Sequence, residues 1–453
     1  MSVYVKNLKV FIVTVLLAVG LVSCQEIIPG NGNVPKAEYE VTIENVSKSY
    51  PILKSDAFAV PVGASDPAPI GPGGAYEFEF TAPEGARLSL TTMFVQSNDW
   101  IYSFGEDGIA LYNEDGTKVT GDVTSKIDLY DVGTEEDQEP GTGSNQAPRQ
   151  SGTDTGPADN NNNVRLVDDM NLPDNDEVIK ITLSSTSKYG FRVRIENVST
   201  SNTLQTSEGS KPVPLSPGAW LVHAASESAL LFTVGQPDYG EGLEAIAEDG
   251  MPGELVNNLT EKTGLTVPLS PGAFAVYNGK NPIFEEGEPA FNNGLEELAE
   301  DGMIDMLVST LSSVGNVSKS GGFKQPVGST EPGPLLPGDQ YKFTFTAKQG
   351  DKLTFATMYV QSNDLFYSPV EEGVPLFSKG NPISGNITDQ VRLWDAGTEA
   401  NEEPGVGGYQ VLRQSGPDTG PEDSNPNVRM VNDQYDYGDT SNRIKVTIQR
   451  VMN

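Results

Sequence analysis

Apolar and polar residues alternate with a period of two in several short stretches of the chain. Tyr39–Ile43, Tyr76–Phe80 and Tyr341–Phe345 each place aromatic or aliphatic side chains on one face and polar ones on the other. Val178–Leu183, Phe191–Ser199 and Ile444–Ile448 repeat the pattern. Such alternation predicts half-buried strands. Leu295, Leu298 and Ala299 instead fall on one face of a helix that Gly302 is placed to end, and a second short helix is predicted from Asp305 to Leu311. With 48 Gly and 32 Pro, the chain reads as short strands joined by many turns. Met251, Met303 and Met306 are expected to pack beneath the helices.

The pattern is duplicated. Thr92–Asp99 recurs as Thr357–Asp364 with seven of eight positions identical, and Asp131-Val132-Gly133-Thr134-Glu135 returns as Asp395-Ala396-Gly397-Thr398-Glu399. Arg149–Val167 and Arg413–Val431 match at 14 of 19 positions. The retained residues are mostly polar loop types. Duplicated cores keep apolar residues and let loops drift, so loops retained in this way point to a site. Phe191–Ser199 echoes the segment Val41–Ser47, which sets a domain boundary near Lys188. The reading is a 37–187 domain, shortened, and a 190–453 domain that carries an extra region, 214–316. That region is itself repeated: Pro214–Trp220 recurs as Pro268–Phe274, and Gly242–Met251 as Gly294–Met303.

Before these domains lies a segment of another kind. Lys6 and Lys9 precede an apolar run, Val10–Val22, that is short for a membrane span and reads as a signal peptide over residues 1–23. Leu21-Val22-Ser23-Cys24 resembles the lipobox of bacterial lipoproteins, and Cys24 is the only cysteine in the chain. Lipid attachment at Cys24 is therefore expected, with residues 24–36 as a tether. Gln25 after the cysteine favours the outer membrane by analogy with enteric bacteria. The formal net charge of −34 argues against nucleic acid and anionic headgroups as partners and for divalent cations or basic surfaces.

As a set, the repeated words resemble the spondin domain, found at the N-terminus of F-spondin and mindin and in bacterial secreted proteins. Those words are Ser216-Pro217-Gly218-Ala219-Trp220, Gly294–Gly302, Ser97-Asn98-Asp99-Trp100 and Trp394–Glu399. The resemblance covers about 190–453 as a full domain and 37–187 as a shortened one that lacks the helical region. It implies an all-β architecture of two C2-like antiparallel β-sandwiches, the second with a small helical insertion. It also implies a calcium ion in the loops at one end, used in adhesion and recognition. The chain departs from the family's Ser-Pro-Asp-Trp at Asn98 and Asn363, has Leu365 in place of Trp, and has Glu135 and Glu399 where Asp is usual.

Calcium takes six to eight oxygen ligands from carboxylates, carbonyls and water. Asp99, Asp131 and Glu135 are the expected metal ligands of the first domain, and Asp364, Asp395 and Glu399 those of the second. Trp100, Tyr102, Phe366 and Tyr367 beside these loops are candidates for stacking on a sugar or protein ligand. No catalytic residues are nominated. The two Asp-Thr-Gly triplets at Asp154 and Asp418 imitate a bilobal aspartic protease, but polar flanks make them solvated turns. A single histidine, His223, excludes a duplicated histidine-based active site. The expectation is a lipid-anchored, non-enzymatic envelope protein that binds an extracellular protein or glycan. The alternative is an exported carbohydrate-binding or carbohydrate-active protein.

Overall fold

The computed structural model describes residues 34–168 and 171–451. The expected signal peptide over residues 1–23 and the expected lipid-attachment residue Cys24 lie outside the described residues. Residues from Lys36 onward form one compact unit built of two β-sandwiches, with 36% of residues in strands and 10% in helices.

Each sandwich pairs a seven-stranded antiparallel sheet with a four-stranded one. In the first, the larger sheet runs Ile52–Phe58, Leu215–Ala224, Ala86–Phe94, Trp100–Ser103, Asp128–Asp131 and Arg165–Leu166, with Ile109–Ala110 at the side. Its smaller sheet runs Ala75–Thr81, Gly190–Asn197, Ile179–Ser185 and Gly121–Asp122. In the second, the larger sheet runs Val317–Phe323, Leu269–Tyr277, Lys352–Tyr359, Leu365–Pro369, Val391–Asp395 and Arg429–Met430, with Val374–Pro375 at the side. The smaller sheet there runs Gln340–Lys348, Lys36–Asn45, Ile444–Val451 and Gly385–Asn386.

Alternation maps onto the smaller sheets, which face solvent on one side. Tyr39, Val41 and Ile43 are buried while their neighbours are half-exposed. The larger sheets are covered on both faces, so Ala86–Phe94 is buried almost without interruption. One face meets the smaller sheet, where Leu88, Leu90, Phe191 and Val193 interleave. The other face of the first sandwich meets two helices, α1 (Leu243–Asp249) and α2 (Gly253–Glu261), through Ile246, Leu255, Leu221 and Ile101. In the second sandwich α3 (Leu295–Asp301) and α4 (Asp305–Leu311) pack likewise, placing Leu295, Leu298 and Leu307 against Phe366 and Trp394. Gly250 and Gly302 end α1 and α3 in the left-handed conformation, both at φ 68°. Met251 and Met303 follow these turns and are 53% and 47% exposed, and Met306 is exposed on α4, so these methionines do not pack as expected.

Strand pairing corrects the domain boundaries. Lys36–Asn45 lies in the middle of the second sandwich's smaller sheet, with Tyr39 opposite Phe345 and Val41 opposite Ile448. Gly190–Asn197 belongs to the first, with Phe191 opposite Phe80 and Ile195 opposite Ile181. Leu215–Ala224 sits between Ile52–Phe58 and Ala86–Phe94, and α1 and α2 cover that same sheet. The division at 187/190 therefore cuts through both sandwiches, and the first is not shortened. It takes one half of the repeated 214–316 region, and the second takes the other. The first sandwich, roughly 52–264, is inserted in the second, between its opening strand and the rest. The two crossings are bonded together: Gly264 N–H donates to Ile52 O at 2.9 Å, and Tyr50 N–H to Thr266 Oγ1 at 2.8 Å.

Candidate functional site

Strand register assembles the two aspartates. Trp100 lies opposite Asp131, and Leu365 opposite Asp395. Asp99 and Asp364, each one residue earlier, are thereby held beside the aspartate that ends the neighbouring strand. The retained polar words hold this geometry. Ser97 Oγ accepts from Trp100 N at 3.0 Å, and Asn98 Oδ1 accepts from Gln138 N at 3.1 Å. Asp99 is fully buried, and its Oδ2 accepts from Thr134 N at 2.6 Å, Thr134 Oγ1 at 3.0 Å and Glu135 N at 3.1 Å. Asp364 Oδ2 accepts the same three bonds from Thr398 and Glu399. Asp131 Oδ1 accepts from Gly133 N at 2.7 Å. Gly133 stands at φ 79°, and a Cβ there would meet Asn161 O at 2.9 Å, so the turn requires glycine.

The other oxygens are less well satisfied. Asp99 Oδ1 and Asp364 Oδ1 are buried without any hydrogen-bond partner. Asp131 Oδ2 pairs with Arg165, which also holds Asp159 at 2.6 Å; Asp395 Oδ2 pairs with Arg429 at 2.6 Å, which holds Asp423 at 2.6 Å. In the first sandwich Asp137, missed in the sequence, joins Asp99 and Asp131: one carboxylate oxygen from each lies within 4.8 Å of the others. The second sandwich has Asn401 there, whose Nδ2 donates to Asp395 Oδ2 at 2.8 Å. Because the repeat does not retain Asp137, comparison of the two copies could not reveal it.

Glu135 and Glu399 do not join the aspartates as the sequence led one to expect. Their backbone N–H groups face Asp99 and Asp364, and their side chains face the opposite way. Glu135 Oε1 accepts from Gly156 N at 2.5 Å and Oε2 from Asn98 Nδ2 at 3.1 Å. Glu399 makes the same bonds to Gly420 at 2.6 Å and Asn363 at 3.3 Å. Glu135 instead clusters with Asp154 and with Glu248 of α1. Glu248 and its counterpart Glu300 carry a sequence signal in the repeated Ala-Glu-Asp-Gly, which both copies retain.

Burial raises the pKa of Asp99, Asp131, Asp137, Asp364, Asp395, Glu248, Glu300 and Glu399. Asp99 and Asp364 are pushed up by loss of solvent, and Asp131 by burial and then by Asp99 and Asp137, with Arg165 opposing. Burial takes Glu248 and Glu300 to about 8. These ends therefore favour whatever neutralises carboxylates, a proton or a cation.

Other sequence candidates resolve differently. Arg149 braces the loop by donating to Gly143 O at 2.7 Å and Gln96 Oε1 at 3.1 Å, and Arg413 does the same in the second copy. Asp154 and Asp418 sit in exposed turns, one in each sandwich, at φ 48° and 51°. Trp100, Tyr102, Phe366 and Tyr367 are at most 1% exposed, so they are core side chains and offer no stacking surface. His223 is buried in its strand with Nε2 3.1 Å from Ser89 Oγ, and burial lowers its pKa. Against known proteins, no family model matches this chain and no curated protein does either.

Proposed function

We propose that this chain is a lipid-anchored, non-catalytic envelope protein whose two spondin-like sandwiches use calcium-organised loops for adhesion or ligand recognition. The observation that carries the reading is the pair of buried, unpartnered oxygens, Asp99 Oδ1 and Asp364 Oδ1, at equivalent places beside Asp131 and Asp395. A buried carboxylate oxygen without a donor is costly, and a bound cation removes that cost. The donors are all oxygen, which suits a hard cation such as calcium and not a thiolate- or imidazole-seeking metal. The recognition surface in this reading is the exposed turn after each site, Ser151–Asn162 and Ser415–Asn425, because the neighbouring aromatics are buried. Cys24 supplies the outer-membrane anchor, and the ligand is an extracellular protein or glycan.

Calorimetric titration of calcium into chelator-stripped protein tests the sites. Saturable binding is expected, with a rise in melting temperature that Asp99→Asn/Asp364→Asn reduces. At a free concentration 100 times Kd the stabilisation is about 2.7 kcal/mol per site. Wild-type protein without saturable binding would sink the reading, and a Cys24→Ser protein that stays in the membrane fraction would sink the anchor.

A further inference from the structure

The face of α1 that packs on the first sandwich carries one residue that does not suit a core. Leu243, Ile246 and Ala247 are buried, and so is Glu248, at 2% exposure. Its Oε1 has no hydrogen-bond partner. Among the described residues no lysine or arginine pairs with it; the Thr134 side chain favours its charged form, while Glu135, Glu244 and Asp99 oppose it. One oxygen each from Glu135, Asp154 and Glu248 lies within 4.8 Å of the others. Two oxygens bound to one calcium ion, each at about 2.4 Å, are at most about 4.8 Å apart, so the three are already within the span of a shared ion.

We propose that Glu135, Asp154 and Glu248 form a second divalent-cation site, of the calcium class, between α1 and the Asp-Thr-Gly turn. It is separate from the site at Asp99, because Glu135 turns its N–H to Asp99 and its carboxylate away. Gly156 makes that possible: its N–H bonds Glu135 Oε1, and a Cβ there would overlap the carboxylate. Entry is open through a cavity of about 260 Å³ whose walls include Asp154, Glu244, Glu248, Asp249 and Glu254. The bound ion ties the helix to two loops of the candidate recognition end. Three carboxylates with no nitrogen or sulfur donor select a hard cation. The inference does not require the Asp99 and Asp364 sites to be filled.

The test is calorimetric titration of calcium into full-length Asp99→Asn/Asp364→Asn protein, checked for folding by circular dichroism. Saturable binding is expected to remain and to be lost on adding Glu248→Gln. Asp154→Asn, at an exposed position that cannot disturb the core, is expected to weaken the same binding. Absence of residual binding in the folded background overturns the proposal. So does residual binding that survives both replacements and falls only with Glu300→Gln, which places the ion on the second sandwich's cluster of Glu296, Glu300 and Asp418. If Asp99→Asn/Asp364→Asn leaves calcium binding intact while Glu248→Gln reduces it, the reading under Proposed function fails and this one stands.

Discussion

At Asp99 one carboxylate oxygen accepts three hydrogen bonds from the neighbouring loop while the other, equally buried, accepts none. The side chain thus organises the loop and at the same time leaves an unmet demand for positive charge. Asp131, Glu248 and Glu300 are buried acids too, and burial raises the pKa of all four, which fixes a pH dependence. Each of these acids has a folded-state pKa above its unfolded value of about 4, so the folded protein holds protons that the unfolded chain releases. Stability from these groups is complete below about pH 4 and is lost as pH rises towards about 8, where Glu248 and Glu300 ionise. Asp159 and Asp423, whose pKa values are lowered, act in the opposite sense but only at acid pH. Chelator-treated protein is therefore expected to melt at a lower temperature at pH 8 than at pH 5. General repulsion in so acidic a chain has the same sign, so Glu248→Gln/Glu300→Gln is the control and should flatten the slope. A melting temperature that rises from pH 5 to pH 8 would refute the assignment. The sequence exposed Asp99 and Asp131 because both copies retain them. It misdirected Glu135, because spacing places a residue in a loop without saying which way the side chain turns. Glu248 was hidden by its position at the edge of the buried face of α1, normally a solvated place; here it is buried beside Glu135 and the turn carrying Asp154.

At the scale of elements, alternation located the strands that face solvent on one side, and the Leu295–Asp301 and Asp305–Leu311 helices fell where the periodicity placed them. The larger sheets were less legible: in Ala86–Phe94 the residues Ala86, Leu88 and Leu90 alternate with Arg87, Ser89 and Thr91, yet Ser89 and Thr91 are buried too because both faces are covered. A short word at the end of one strand explains how that strand is fastened. Asn45 is fully buried; its Nδ2 donates to Val267 O at 2.8 Å and Leu335 O at 2.9 Å, and its Oδ1 accepts from Ser47 N at 3.0 Å and Ser47 Oγ at 2.6 Å. Asn197 repeats the arrangement with Ile70, Val213 and Ser199. These bonds join Lys36–Asn45 and Gly190–Asn197, the equivalent strands of the two smaller sheets, to the segments that lead into or pair with Leu269–Tyr277 and Leu215–Ala224. Asn45→Ala would remove two buried hydrogen bonds while Leu335 O keeps Leu269 N–H and Val267 O keeps Ser47 Oγ, at a cost of about 1–3 kcal/mol. Urea denaturation should show that loss, and a smaller one for Ser47→Ala. An Asn45→Ala protein as stable as the wild type would mean that the word is incidental to the pairing.

For the whole molecule, the permuted connection was beyond the reach of the sequence for a physical reason. Val41–Ser47 and Val193–Ser199 differ only at Thr42 and Arg194, so either strand presents the same apolar face and the same asparagine to either slot. What distinguishes the slots lies between the sandwiches. Glu403 pairs with Lys54 at 2.6 Å and accepts from Thr81 Oγ1 at 2.8 Å. Glu402 accepts from Tyr189 Oη at 2.8 Å and pairs with Lys188 at 2.9 Å. Both glutamates belong to the loop that follows Glu399, so the second sandwich's candidate metal loop is also its dock on the first. Cutting the chain between Ser187 and Lys188 therefore does not separate two domains. The 34–187 piece carries the central strand of the second sandwich, and the 188–453 piece carries Gly190–Asn197, Leu215–Ala224, α1 and α2 of the first. Burying Tyr39, Val41 and Ile43 alone is worth roughly 5–9 kcal/mol, an upper figure comparable to the stability of a whole domain. Co-expressed with a tag on one piece only, the two fragments should purify together and melt cooperatively. Were Gly190–Asn197 able to take the vacated place of Lys36–Asn45, the 188–453 piece would fold and purify alone; that outcome would show the exchange of strands to be a matter of connection and not of stability.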